Sequence, residues 1–199
     1  NVKTMSVFRH LENKCCDSAK NPLYSKRNIC FNAITNYEKR GCHMTDKDLS
    51  IQTEEIQTDG KDTYYCHRYE PTPYEVLDEL FTFYTPEKTD VFVDYGCGMG
   101  RLNFYIEYSP VYYEKALENK KTYNGSKDKI HFVNCKAEDY LVSKNETVFY
   151  FFNPFSPEIF HAVINRILDS FEKYPRTITL ILYYPEDDTI FYLERHTTF

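Results

Sequence analysis

Ten residues, Val91-Phe92-Val93-Asp94-Tyr95-Gly96-Cys97-Gly98-Met99-Gly100, narrow the choice of fold more than any other part of this 199-residue chain. Three apolar β-formers run into an acid, and glycine then takes every second position. That pattern predicts a buried strand ending in a tight turn with almost no side chains. Such a turn lets backbone approach a ligand closely. A helix starting beyond it points unpaired N–H groups at whatever binds there. The expectation is a nucleoside-type cofactor at the carboxyl end of the first strand of an open α/β sheet.

The spacing narrows the cofactor. A dinucleotide fingerprint reads G-x-G-x-x-G and seats a pyrophosphate on the helix N-terminus. Here the third glycine, Gly100, comes one position too early, and Asp94 would repel a phosphate. A carboxylate there suits a ligand bearing an amine or a positive charge. Asp-x-Gly-x-Gly-x-Gly after an apolar strand resembles motif I of the class I methyltransferases that use S-adenosyl-L-methionine. The resemblance implies that Gly96, Cys97, Gly98 and Gly100 wrap the cofactor and that Asp94 faces its methionine end.

Four further segments resemble the same family, in its order, between Tyr69 and Tyr184. Ile106-Glu107-Tyr108-Ser109-Pro110 reads as a strand end, an acid, and a helix start with Ser109 as N-cap and Pro110 at the first helical position. The resemblance makes Glu107 the ligand of the ribose hydroxyls. Ile130 to Tyr140 reads as a short strand leading into Ala137-Glu138-Asp139. In similar enzymes this loop flanks the adenine, which assigns its amine to Glu138 or the backbone around Ala137, with Asp139 behind. Lys136 stands where the family more often has Asp, so the exact adenine ligand stays open between them.

Val148-Phe149-Tyr150-Phe151-Phe152 is a continuous apolar run, as a parallel strand buried on both faces requires. It ends in Asn153-Pro154-Phe155, which resembles motif IV of amino-group methyltransferases with one proline missing. The resemblance implies that Asn153 and the Pro154 carbonyl accept the N–H groups of a target amine, and that Phe155, with Tyr69 or Tyr74, forms the aromatic wall against a planar acceptor. Tyr69-Glu70-Pro71-Thr72-Pro73-Tyr74 is stiffened by two prolines, and Thr72 is placed to cap the helix that follows. It looks like a Thr-Pro element that meets the cofactor's carboxylate through Thr72.

Helical periodicity is expected over Tyr74–Tyr84, with Val76, Leu77, Leu80 and Phe81 on one face, and over Val111–Tyr123. It is clearest from Ser156 to Tyr174, where Ile159, Phe160, Val163, Ile164, Ile167, Leu168 and Phe171 recur at the 3.6 period. Thr177–Tyr184 is β-branched and apolar. Alternating strands and helices imply a parallel sheet. The expected fold is therefore α/β, a doubly wound, mostly parallel sheet of the Rossmann-like methyltransferase kind.

Residues 1–67 are expected to form an N-terminal helical extension and linker, with 46–67 as loop, and residues 68–199 the cofactor-binding domain. Only six residues, 101–106, separate Gly100 from Glu107. A crossover between parallel strands needs about a dozen or more. A missing segment is therefore expected near Tyr105. The chain also stops at Phe199, before the last two strands of the family's sheet.

Net charge is −6, and residues 1–45 hold eight Lys/Arg against three Asp/Glu, which leaves the remainder at −11. An acidic body argues against a broad nucleic-acid footprint, while the basic N-terminal part keeps a nucleic-acid or anionic substrate open. No apolar run approaches the ~20 residues of a membrane helix. Seven scattered cysteines without a C-x-x-C pair predict reduced thiols in a cytoplasmic protein and no metal site.

The expected activity is methyl transfer from S-adenosyl-L-methionine to the nitrogen of a planar amine or amide. The acceptor, whether small molecule, protein or RNA, is not readable. Two alternatives stand beside this reading. One is a methyltransferase-like module that binds a nucleoside without turnover. The other is an NAD(P)-dependent oxidoreductase on a related sheet.

Overall fold

The computed structural model describes residues 3–8, 30–31, 45–54, 69–102, 105–106, 110–123, 127–197 and 199. Among the described residues seven parallel strands form one sheet. In chain order they are β1 (Lys3–Phe8), β2 (Cys30–Phe31), β3 (Phe92–Tyr95), β4 (Tyr105–Ile106), β5 (Phe132–Val133), β6 (Val148–Phe152) and β7 (Ile178–Tyr183). Their spatial order is β2-β1-β7-β6-β3-β4-β5. From β3 the chain steps outward to β4 and β5, then returns to the other side of β3 for β6 and β7. The order thus reverses between β3 and β6.

The strands of the centre are buried on both faces, and alternate side chains meet different helices. Val93, Tyr95, Phe149, Phe151, Ile178, Leu180 and Leu182 share a core with Phe160, Val163, Ile164 and Ile167 of α4 (Pro157–Lys173) and with Ile190 and Leu193 of α5 (Asp187–His196). Val148, Tyr150, Ile181 and Tyr183 point the other way and meet Leu80 and Val76 of α2 (Tyr74–Phe83). A side-chain period of two along each strand produces this division. Burying each large apolar side chain stabilises by about 1.5–3 kcal/mol. The uninterrupted apolar composition of β6 and β7 follows from having helices over both faces.

The expected helices form at 74–83, in α3 (Pro110–Thr122) and at 157–173. In α2, however, Phe81 is 43 % exposed, so the buried stripe is Leu77 and Leu80 flanked by Val76. A further helix, α1 (Asp46–Leu49), opens the segment expected to be loop. Thr45 caps it: its hydroxyl accepts from the Asp48 N–H, and the Asp48 carboxylate accepts from the Thr45 N–H in return.

The helical reading of residues 1–45 meets two described stretches, and both are strands. β1 pairs with β7 over six residues, Lys3 opposite Ile178 through Phe8 opposite Tyr183, and β2 pairs with β1. The sequence Lys-Thr-Met-Ser-Val-Phe has β-branched or aromatic residues at three of six positions, and the exposed edge of β7 offers it a full ladder of partners. The rest of 1–45, including the expected helix from Asn21 to Arg40 outside Cys30–Phe31, lies outside the described residues.

The second strand of the unit forms despite the short connection. Tyr105 lies opposite Asp94 and Ile106 opposite Tyr95, while Arg101 and Leu102 are in a turn. Residues 103–104 and 107–109 lie outside the described residues, and with them the expected missing segment near Tyr105. Among the described residues no helix is long and apolar enough to cross a membrane.

Candidate functional site

The glycine turn sits at the carboxyl end of β3. Gly96, Gly98 and Gly100 all have positive φ, +82°, +56° and +97°. The Gly100 N–H donates to the Cys97 carbonyl at 3.1 Å, closing the turn. Two of these glycines also answer a steric demand. A Cβ on Gly96 would collide with Cβ of Pro154, and one on Gly98 with the ring of Tyr69. Cys97 and Met99, between them, are buried and anchor the turn, and of the three glycines Gly96 is exposed while Gly98 and Gly100 are buried.

Asp94, the last acid before the turn, is 6 % exposed. It lies on the sheet face that carries Tyr150, whose hydroxyl shares a 2.8 Å hydrogen bond with Thr72 Oγ1. Burial pushes the Tyr150 phenol well above its usual value; the Thr72 bond offsets part of that, and the Asp94 charge nearby adds to the rise. Thr72 is thus brought to the same corner as Asp94. It does not cap α2, however: Pro73 is the N-cap, without a side-chain bond, because the Thr72 hydroxyl is turned to Tyr150 instead.

Behind this corner lies a polar network that sequence reading passed over. Arg101, one residue past the last glycine, is buried. Its Nε donates to Thr53 Oγ1 at 2.8 Å and its Nη1 to the Thr72 carbonyl at 3.0 Å. Its Nη2 lies 3.5 Å from Asp46 Oδ1, and its guanidinium stacks 4.4 Å from the Tyr74 ring centre. Asp46 also accepts from the Thr53 N–H, from Thr53 Oγ1 at 2.7 Å and from the Tyr74 hydroxyl at 2.5 Å. The Tyr69 hydroxyl donates to the Thr53 carbonyl at 2.9 Å, which fixes the ring that lies over Gly98.

From α3, the Asn119 amide donates to the carbonyls of Met99, at 2.7 Å, and Gln52, at 2.9 Å, and accepts from the Gln52 N–H. The glycine turn is therefore held by residues 46, 53, 69, 72, 101 and 119, drawn from four separate segments. Buried charge and buried amides of this kind need every partner they have. A usable signal in the sequence was Thr45-x-x-Asp48, a capping box within supposed linker.

At the adjacent strand end, β6 stops at Asn153, whose φ of +36° is left-handed. Asparagine tolerates that conformation better than most residues. Pro154 then meets Gly96, so the two turns expected to hold cofactor and acceptor touch. Phe155 departs from its expected place. Its ring is buried, edge-on to Tyr95 and Phe151 at 6.4 Å each, because the following turn leads directly into α4 and carries it into the core. A small depression beside it is lined by Asn153, Pro154, Phe155, Tyr183, Pro185 and Thr189.

Ala137 and Glu138 lie in a single 3-10 turn, Ala137–Asp139, following β5. Ala137 packs on the core, and the Glu138 carbonyl accepts from Arg166 Nε of α4 at 3.1 Å. Lys136 and Asp139 are exposed. Glu107 lies outside the described residues. No protein-family model matches this chain, and no curated protein matches it.

Proposed function

We propose that the chain is an S-adenosyl-L-methionine-dependent methyltransferase of Rossmann-like, doubly wound architecture, acting on a nitrogen of a planar amine or amide. The observation that supports this reading best is the contact of Gly96 with Pro154 at the point where strand order reverses. In open α/β sheets, ligands bind outside the carboxyl ends of the strands at that switch point. Both motifs of the resemblance lie there, on β3 and β6.

The residues present fit the cofactor. A buried carboxylate at the β3 tip suits an ammonium group and disfavours phosphate, and in the turn beyond it the Gly96 backbone is exposed while the Tyr69 ring covers Gly98. Asp94 would hold the amino group, the Gly96–Gly100 backbone would follow the methionine portion, and Ala137 and Glu138 would flank the adenine. When bound, S-adenosyl-L-methionine supplies a methyl carbon made electrophilic by its sulfonium. The protein's own contribution is alignment, which can supply several kcal/mol of a barrier. Asn153 Oδ1 and the Pro154 carbonyl would accept the acceptor's N–H groups and direct its nitrogen lone pair. Thr72 and Tyr150 would orient the region around Asp94.

Isothermal titration with S-adenosyl-L-methionine tests the reading. Saturable binding that is lost in both Asp94→Ala and Gly98→Val is expected; equal affinity in both variants would sink it. The burial of Phe155 favours a second reading, a module that binds a nucleoside without turnover. Tight cofactor binding with no methylated product across a broad acceptor panel would select that one.

A further inference from the structure

Residues 45–54 are distant from the glycine turn in sequence and lie against it in space. The segment makes one helical turn, α1, which closes on Ser50 in left-handed backbone at φ +57°. It has little apolar surface to bury: Ile51 is its only buried apolar side chain, beside the polar Asp46 and Thr53. Hydrogen bonds therefore hold it in place. Each adds little net stability, because water competes for the same groups. A segment with few buried apolar contacts opens more readily than the core around it.

Those bonds converge on the turn. Thr53 Oγ1 accepts at 2.8 Å from Nε of Arg101, which follows Gly100. The Thr53 carbonyl accepts at 2.9 Å from the hydroxyl of Tyr69, whose ring covers Gly98. Gln52 exchanges two 2.9 Å bonds with the Asn119 amide, which also donates to the Met99 carbonyl at 2.7 Å. The segment thus reaches the turn at Gly98, at Met99 and just past Gly100. Gly98 and Gly100, at φ +56° and +97°, have wide backbone freedom to lose. A docked segment confines them to one shape, and a ligand lying on the turn also requires one shape.

We propose that residues 45–54 form a strap whose docking is linked to cofactor binding on the glycine turn, with Thr53 and Asn119 as the positioning residues that carry the linkage. The identity of the cofactor rests on the methyltransferase reading; the linkage rests on the contacts. Whichever arrives first has already confined the turn, so the second loses less backbone freedom on arriving. The coupling is reciprocal: a strap that tightens cofactor binding is itself held down by the cofactor to the same degree. Lifting the strap would lower affinity without removing any group that touches the cofactor.

Hydrogen exchange on the full chain, with and without saturating S-adenosylhomocysteine, tests this. The reporters are the Gln52 and Thr53 amides, which donate to Asn119 Oδ1 and to Asp46. Ligand should slow their exchange about tenfold in the wild type. Thr53→Val keeps the side-chain shape and the carbonyl but removes the hydroxyl, so it should speed that exchange and weaken S-adenosylhomocysteine about tenfold. Thr53→Ser restores the hydroxyl and should stay within about threefold of the wild type on both measures. The amides of β6 and β7 should stay protected in both variants, which separates a lifted strap from an unfolded chain.

Binding of S-adenosylhomocysteine that leaves the two reporter amides unchanged would overturn the linkage, whether or not Thr53→Val folds. Full affinity in Thr53→Val, or equal losses in the Val and Ser variants, would overturn it as well. No binding by the wild type would remove the methyl-transfer reading and the linkage together, so the two failures are distinguishable.

Discussion

Gly96 and Pro154 are in contact so close that any side chain on Gly96 would overlap the proline ring. The tip of β3 and the turn after β6 consequently pack directly against each other. This pair couples the place where a cofactor is expected to the place where its acceptor is expected.

Gly96→Ala should therefore be severe. The new methyl meets Pro154 Cβ, and φ of +82° is unfavourable for alanine. A loss of about 2–4 kcal/mol is expected from strain and overlap together. Pro154→Gly removes the opposing Cβ, so the double variant should recover part of the loss. Urea unfolding of the two singles and the double measures the coupling; strict additivity would show that the two turns do not press on each other.

Asn153 offers a different separation. Asn153→Gly suits the φ of +36° and should change stability by less than about 1 kcal/mol. It deletes the amide proposed to align the acceptor, so methyl transfer should fall by about a hundredfold. Thermal melting and initial rates, measured on the same preparation, check both halves. A variant that keeps full turnover would exclude Asn153 from the reaction.

The strands and helices around β3, β6 and β7 were legible because their signals are local. Continuous apolar runs mark strands buried on both faces, and α4 repeats at helical spacing through the buried Phe160, Val163, Ile164 and Ile167. What escaped was non-local. Lys3–Phe8 is a strand because β7 offers an edge, and no pattern within six residues announces that. Arg101 read as the residue after a glycine turn, but its partners Asp46, Thr53 and Thr72 come from as far as 55 residues away. Phe155 was expected to face an acceptor, but which way such a ring faces depends on the turn geometry after its strand. The helix α5 was also unread, although Ile190 and Leu193 both face the core.

The Arg101–Asp46 pair yields a stability prediction. Arg101→Met leaves the Asp46 carboxylate buried with only its Thr53 and Tyr74 donors. Breaking a buried pair from one side is expected to remove about 3 kcal/mol or more. Asp46→Asn/Arg101→Met should lose less than the sum of the two single variants, because no lone charge remains buried. Cofactor affinity should fall with Arg101→Met, since Thr72 loses the guanidinium that holds its carbonyl. Chemical denaturation with parallel titration calorimetry tests both. A full sum in the double variant would mean that the two residues act independently.

A pH effect should arise from the opposite side of the sheet. His161 of α4 stacks on Tyr192 of α5 at 3.6 Å, and Tyr192 stacks in turn on His196. Burial lowers the His161 pKa below the usual histidine value; Glu158 and Asp188 pull it back up and His196 pushes it further down. Its Nε2 is buried without a hydrogen-bond partner among the described residues. The unfolded chain thus takes up a proton at higher pH than the folded one. The neutral ring's contribution is fully present above about pH 6.5 and is lost as pH falls from there toward the lowered folded value. His161→Phe keeps a ring on Tyr192 and cannot titrate, while His196 remains in both proteins. Urea midpoints compared between about pH 7.5 and 5.5 should fall more steeply for the wild type than for the variant. Parallel slopes would show that His161 is as easily protonated folded as unfolded, and that the stack does not shield it.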